Sequence, residues 1–467
     1  MAEFSKSQNN ALIIILATYL LILLDTSVVI TGLPQIQESL GFTQVGLSWV
    51  QNAYTLTFGS LLMLGARAGD ILGRKRVFRF GILVFTISSF VIGLAPSAST
   101  MIVARIIQGG SAAILAPTTL ALLSTYFKEG EERVKALSYY AATAGIGATA
   151  GLVLGGLFAG LLSWRVGFLV NVPTGIVLFI ATNKLLAETE RHTGKFDIVG
   201  TVTSTIGMSA IIYGIIHSSN AGWGDFTTLT FVVGGLLMMG IFLLTEAHSR
   251  QPLLPLRLFQ SSERSIAYLS RFLFLGAMVS FFFFSTQYMQ RVLMLTPVEA
   301  GLGFVPMTGF TFIASIFVPK LTRKLGNHGV TLVAFACCVV GFWMLANMSS
   351  QSDYWHEMLF AMMVVGFGNG AALGPLTIAG VSGVAAKDAG AASGLVNVAH
   401  QIGGTFGLSL LAVLYASANE PHLQGTSLLA YQIEVGFYGC MIMIGFAMVA
   451  TALQSFRQKR IVVSQES

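Results

Sequence analysis

Stretches of about 20 apolar residues recur from one end of this chain to the other, and that recurrence decides the solvent in which it folds. A helix of that length spans the hydrocarbon core of a bilayer. Fourteen such runs can be marked, at 11–32, 47–66, 78–95, 101–124, 136–161, 167–186, 197–217, 227–247, 268–290, 300–319, 329–347, 357–382, 391–417 and 430–452. They are continuously apolar rather than alternating, which predicts helices and argues against barrel strands of about 10 residues. Each helix also satisfies its own backbone in lipid. Only 10% of the 467 residues are charged, against about 25% in a soluble domain. The predicted fold class is therefore an all-α membrane protein with fourteen transmembrane helices. The first run is long, holds Asp25 and lacks a small-residue cleavage site, so it reads as a retained helix rather than a signal peptide. Cys337, Cys338 and Cys440 lie in apolar runs with no metal spacing and no disulfide framework, which makes them packing residues.

The net charge of +6 is a matter of topology, and it does not suggest nucleic acid. With the N-terminus inside, 22 of the 26 Lys and Arg residues fall in cytoplasmic segments. Arg105 and Arg271 lie within runs, and only Arg165 and Arg291 fall in external loops. The distribution follows the positive-inside rule and predicts both termini in the cytoplasm.

The chain also resembles itself across a shift of 258 residues: Gly110 to Leu120, with Pro117 and Thr119, matches Gly368 to Ile378, with Pro375 and Thr377. Gly145 and Gly151 of the fifth run have counterparts in Gly403 and Gly407 of the thirteenth. A basic loop follows the second run of each half, Gly73-Arg74-Lys75-Arg76 and Arg323-Lys324-Leu325-Gly326. The expected organisation is a six-helix bundle over 1–190, two inserted helices over 191–260, and a second six-helix bundle with a cytoplasmic tail over 261–467. Parallel repeats of this kind are built to rock about a central site. Gly147, Gly151, Gly155 and Gly156 form a stripe on the fifth run, where missing side chains let another helix approach. Gly366, Gly370 and Gly374 repeat it before Pro375. Spacing alone does not separate static packing from a sliding contact.

An ionisable residue inside a spanning helix is expensive, so Asp25 and Arg105 stand out. Asp25 lies about 21 Å into the first helix, at 1.5 Å per residue. Apolar surroundings disfavour the ionised carboxyl, so such a group can hold a proton in one conformation and release it in another. The bland alternative is a carboxylate bonded to Thr26 or Ser27. Arg105 cannot give up its proton and acts as a fixed charge, unless it snorkels to the outer interface. Glu299, Glu357 and Glu434 sit near outer helix ends and read as interfacial. With one deep acid, the cargo expected is a monovalent cationic or neutral amphiphile rather than a divalent cation.

Polar side chains avoid lipid, which makes Gln51, Asn52 and Tyr54 candidates for a substrate cavity, joined by Gln287, Tyr288 and Met289. The adjacent Phe281 to Phe284 point all round their helix, and the reading favoured for them is lipid-facing bulk. No phosphate loop, zinc spacing or nucleophile triad is present, and no loop could house a nucleotide-binding domain. The expectation is a non-enzymatic protein with no cofactor and no metal site, driven by an ion gradient or by plain facilitation.

The succession of motifs is similar to the major facilitator superfamily, in its fourteen-helix drug:proton antiporter branch. The matching residues are Leu24-Asp25-Thr26-Ser27 with Leu33-Pro34; Ser48-Trp49-Val50 with Tyr54; Gly65 to Arg76; Arg105-Ile-Ile-Gln108-Gly109 with Pro117; the glycines of the fifth run; Trp164-Arg165; Phe168 to Pro173 with Asn171; Gly394-Leu-Val-Asn397; and Gln401-Ile-Gly403-Gly404. The resemblance implies a major facilitator fold, proton coupling through Asp25 and Arg105, and a conformational latch at Asp70, Gly73, Arg74 and Lys75. It departs from that pattern at Leu152, where a proline is usual, at the altered Ala66-Arg67-Ala68-Gly69 of the loop, and at His400, where arginine is expected. The function expected is proton-coupled efflux of lipophilic, cationic drugs by alternating access; the alternative is a permease or exporter for a single metabolite. Its partners would be such a small molecule, protons and the lipid bilayer, with no nucleic acid. The expected setting is a monomer in a bacterial cytoplasmic membrane.

Overall fold

The computed structural model describes residues 4–127, 131–188, 197–249, 252, 254–384 and 389–466, and these hold helices and loops with no strand. The chain contacts divide into two compact units, Met1–Ile206 with Thr296–Leu302, and Gly207–Leu295 with Gly303–Ser467. Eleven helices among the described residues are long and apolar enough to cross a membrane. The protein is a multi-pass cell-membrane protein.

The first unit is built from α1 (Lys6–Leu40), α2 (Trp49–Leu72), α3 (Arg74–Gly93), α4 (Ala98–Tyr126), α5 (Glu131–Leu161), α6 (Trp164–Leu169) and α7 (Asn171–Leu185). Its helices start and stop where the side chains provide for it. Ser5 and Gln8 form a reciprocal capping box at α1, and Gly41 ends that helix in the left-handed region at φ 69°. Ser97 caps α4 by accepting from the Thr100 amide. Glycine then sets how closely helices approach. A Cβ on Gly65 would strike the Ala113 backbone, and one on Gly109 would strike the Tyr54 backbone, so α2 and α4 meet main chain to main chain.

Next in sequence come α8 (Ile198–Ala221), which the division between the units crosses, and α9 (Phe226–His248), which belongs to the second unit. Leu236, Leu237 and Leu244 of α9 are all more than half exposed, as side chains solvated by lipid rather than by protein would be.

The second unit continues with α10 (Ser262–Gln287), α11 (Pro297–Gly303, which groups largely with the first unit), α12 (Val305–Ala346), α13 (Leu359–Val381), α14 (Ala389–Ser417) and α15 (Gly425–Glu466). Gly326, at φ 70° and ψ 171°, divides the 42-residue α12 into two helices. α10 ends in a π-helical turn over Tyr288–Val292. Gly366 and Gly370 of α13 seat against the backbone of Met307 and Thr311 on α12, while Gly403 and Gly407 of α14 seat against Phe272 and Gly276 on α10. Each unit therefore has a pair of glycine-seamed helix contacts: α2 with α4 and α1 with α5, then α12 with α13 and α10 with α14.

One sequence expectation is corrected here. Phe281, Phe283 and Phe284 do not face lipid; they are at most 1% exposed. Phe281 meets Phe304 and Phe342, and Phe284 meets Tyr415 and Phe437, with ring centroids 5.5–6.3 Å apart. Neighbouring helices of the same unit surround α10 on most sides, so consecutive aromatic positions all find partners.

Candidate functional site

Asp25 lies in the core of the first unit, 1% exposed, on the face of α1 turned toward α4 and α7. Its position depends on the glycine stripe of α5. A Cβ on Gly151 would stand 2.5 Å from that of Ser27, and one on Gly155 would stand 2.5 Å from Thr31 Oγ1 and 2.7 Å from the Val28 Cα. A Cβ on Gly147 would press on Leu20 and Leu23 at 3.0–3.1 Å. The stripe thus holds the Asp25 segment of α1 against α5. Gly156 faces elsewhere, against Pro297 of α11.

The two deep ionisable residues of the first unit meet. Arg105 Nη1 donates to Asp25 Oδ2 at 2.7 Å, with both side chains no more than 2% exposed. The other carboxylate oxygen accepts from Gln108 Nε2 and from Asn171 Nδ2, each at 2.8 Å. Gln108 Oε1 accepts from Arg105 at 2.7 Å, and Gln108 Nε2 also reaches Ser89 Oγ at 2.9 Å. Arg105 Nε donates to the Val50 carbonyl at 2.9 Å, and the guanidinium lies 4.3 Å from the centre of the Tyr54 ring. Five helices, α1, α2, α3, α4 and α7, close around one neutral pair of charges. Such a pair tolerates burial because each charge cancels the other and both carboxylate oxygens are hydrogen-bonded.

Thr26 bonds the backbone carbonyls of Ile22 and Leu23, not Asp25, and Arg105 reaches inward rather than to the interface. Gln108, Asn171 and Ser89 are members that the sequence reading left without a role. The signal was present: Arg105 and Gln108 are spaced i, i+3, which puts them on one helix face, and an amide in an apolar run needs a partner.

The loop after α2 is held by its own unit. Arg74 pairs with Asp70 at 2.9 Å and donates to the Ala121 carbonyl at 2.9 Å and to Thr125 Oγ1 at 2.7 Å, tying the loop to the end of α4. Gly73 turns at φ 99°, and a Cβ there would stand 2.8 Å from Glu188 Oε1. Glu188 accepts from the amides of Lys75 and Arg76 at 3.0 and 3.1 Å, placing a carboxylate on the α3 N-terminus, where the helix dipole favours it. Lys75 Nζ donates to the Asn183 carbonyl at 3.0 Å. Glu188 is a further residue that sequence reasoning missed.

Residues 15–408 match the Major Facilitator Superfamily. The chain belongs to that superfamily. Among curated proteins it is 37% identical to a cephamycin export protein of Amycolatopsis lactamdurans, over 89% of this chain and 87% of that protein. It is 35% identical to a puromycin resistance protein of Streptomyces alboniger, over 93% of this chain and 88% of that one. Among solved structures, a peptide transporter in complex with sulfate aligns with a TM-score of 0.70 at 15% identity, covering 98% of this chain and 95% of that one. A bacterial homologue of the lysosomal transporter Spinster aligns with a TM-score of 0.65 at 14% identity, over 96% of each. These structures speak to the fold alone.

In this major facilitator protein the six cavity candidates are all buried within their own units. Gln51, Asn52 and Tyr54 are 7%, 0% and 0% exposed, and Gln287, Tyr288 and Met289 no more than 2%. Tyr54 underlies the Arg105 guanidinium, and Tyr288 donates to the Ser349 carbonyl at 2.7 Å. Gln51 Oε1, the Tyr54 hydroxyl and Gln287 Oε1 are buried without a hydrogen-bond partner. Leu152, in place of the usual proline, leaves α5 helical without a break from 149 to 161.

Proposed function

We propose that this transporter exports lipophilic small molecules in exchange for protons, by alternating access, as a fourteen-helix drug:proton antiporter with both termini in the cytoplasm. The observation that carries the reading is the buried Asp25–Arg105 pair. A proton arriving at Asp25 cancels its charge and frees Arg105, which keeps Val50 and Gln108 as partners but loses its counter-ion. The protonated and ionised states therefore favour different packings of α1, α4 and α7. A packing equilibrium biased by one proton is what coupling to a gradient requires. The glycine stripe at Gly147, Gly151 and Gly155 is the surface on which α1 would shift, and the Asp70–Arg74 loop the latch that would set the timing. Gln51, Tyr54 and Gln287, with their unpartnered oxygens, would meet cargo when a unit opens.

Export as the direction draws on relatives named for antibiotic export and resistance. A cationic preference would require Arg105 to yield Asp25 to the cargo, so it is confined to the protonation step itself. A second reading, a dedicated exporter of one compound, is favoured by Leu152 and by relatives named for single antibiotics. A panel of unrelated compounds separates the two, since broad mutual competition belongs only to the first.

The test uses the purified protein in liposomes with an imposed pH gradient. Asp25→Asn keeps the shape and removes the titrating group. Gradient-driven export is expected to vanish while the variant still elutes as folded protein. Undiminished export from Asp25→Asn would remove the pair from the mechanism.

A further inference from the structure

The second unit also buries an arginine, and there no acid answers it. Arg271 of α10 is 7% exposed. Its Nη1 donates to the Leu373 carbonyl at 3.2 Å and to Thr377 Oγ1 at 2.8 Å, and its Nη2 lies 3.2 Å from His400 Nδ1. Its Nε is buried with no partner at all. Every partner is neutral, and among the described residues no carboxylate forms an ion pair with it. A guanidinium keeps its charge at any accessible pH, so titration does not relieve the deficit.

The surroundings are built to be reached. Thr377 is exposed on α13 and His400 is half-buried on α14, beside the exposed Ser393 and Asn397. These polar positions share one side of α14, where lipid would be a poor solvent. Because Arg271 can only donate, the His400 Nδ1 facing it must accept, which leaves the proton on Nε2 and makes that nitrogen a donor. A fixed positive charge with a free Nε–H, a neighbouring imidazole N–H and a hydroxyl is a set of donors lacking an acceptor. A structural tie between α10, α13 and α14 would need the hydrogen bonds but not the charge.

We propose that Arg271, His400 and Thr377 form a carboxylate-binding subsite in the second unit, so that the exported compound is a lipophilic acid. The planar guanidinium fork matches a carboxylate's two oxygens, which a lone ammonium would not. The inference rests on the export reading for its cargo, but the subsite itself is a property of binding. It also accounts for His400: a second arginine at that position would face Arg271 with like charge.

The experiment measures equilibrium binding of two fluorescent probes, 9-anthracenecarboxylate and its methyl ester, to the full-length protein in lipid nanodiscs. The wild-type protein is expected to prefer the acid by about ten-fold, the worth of roughly one charge-assisted hydrogen bond. Arg271→Gln should bring the acid-to-ester ratio close to one, and Arg271→Lys should retain part of it. Should Arg271→Gln fail to elute as a single folded species, Thr377→Val and His400→Gln carry the same measurement, each lowering the ratio about three-fold. A wild-type ratio near one, or a ratio unchanged in these variants, overturns the subsite. Because no gradient is applied, an absence of pH-driven export would count against the export reading and leave this ratio untouched.

Discussion

Among the described residues each unit buries one arginine within its helices, and the two are treated in opposite ways. Arg105 is 1% exposed and held by Asp25, with Gln108, Val50 and the Tyr54 ring completing its shell. Arg271 is nearly as buried, yet its three acceptors are all neutral and its Nε has no partner. The first arrangement is closed, with every charge matched inside the protein. The second is left open by one negative charge. A closed pair suits a device that exchanges protons, since the charge balance changes only when a proton enters. An open one suits a device that meets an anion from outside. Similar helix packing around glycine seams supports both, so the division of labour lies in a handful of polar side chains rather than in the fold.

The largest expected effect comes from opening the closed pair. Asp25→Ala leaves Arg105 buried without a counter-charge, which should cost about 3–5 kcal/mol of stability. Removing both charges with Asp25→Asn and Arg105→Gln together should recover most of that loss, because no uncompensated ion remains. The thermal unfolding midpoint in detergent, compared across the single and double variants, checks this. If the single variant is no worse than the double, the two arginines do not differ as described.

The converse change closes the open one. Thr377→Asp would set a carboxylate beside Arg271, where a hydroxyl now accepts at 2.8 Å. The partner position is exposed, so the gain should be about 1 kcal/mol rather than the full value of a buried pair. The midpoint should rise by about 1 °C, which is what that energy is worth over 467 residues. The preference for an acid probe should disappear, since the new side chain occupies the charge. A lowered midpoint would mean that Arg271 already has its anion.

How much of this the sequence made legible follows the same divide. Apolar runs announce helices because lipid leaves the backbone no other solution, and Asp25 and Arg105 stand out because a charge in such a run is costly. That they touch is beyond what spacing reports, since they are 80 residues apart and on different helices. Gln108 and Asn171 were visible as motif residues but not as ligands of the carboxylate, because an amide's partner depends on how helices rotate about their axes. Phe281 to Phe284 misled for a related reason: a run of like residues carries no periodicity, and only packing decides which side is protein. Arg271 was noticed only in the charge count. The lack of an acid near it is a fact of three-dimensional neighbourhood that no spacing reports.

The smallest effect on stability should come from the Asp70–Arg74 pair, and it calibrates the others. Its side chains are 46% and 24% exposed, so water screens the attraction that the core leaves intact around Asp25. Asp70→Asn removes the charge but leaves Arg74 anchored to Ala121 and Thr125. The unfolding midpoint should therefore move by no more than about 0.5 kcal/mol equivalent, within the range of exposed pairs. The transport rate is the sensitive readout, because a latch acts on the barrier between states and contributes little to the stability of either. A large fall in midpoint with normal transport would make the loop a structural brace, and the contrast between buried and exposed ion pairs in the first unit would no longer hold.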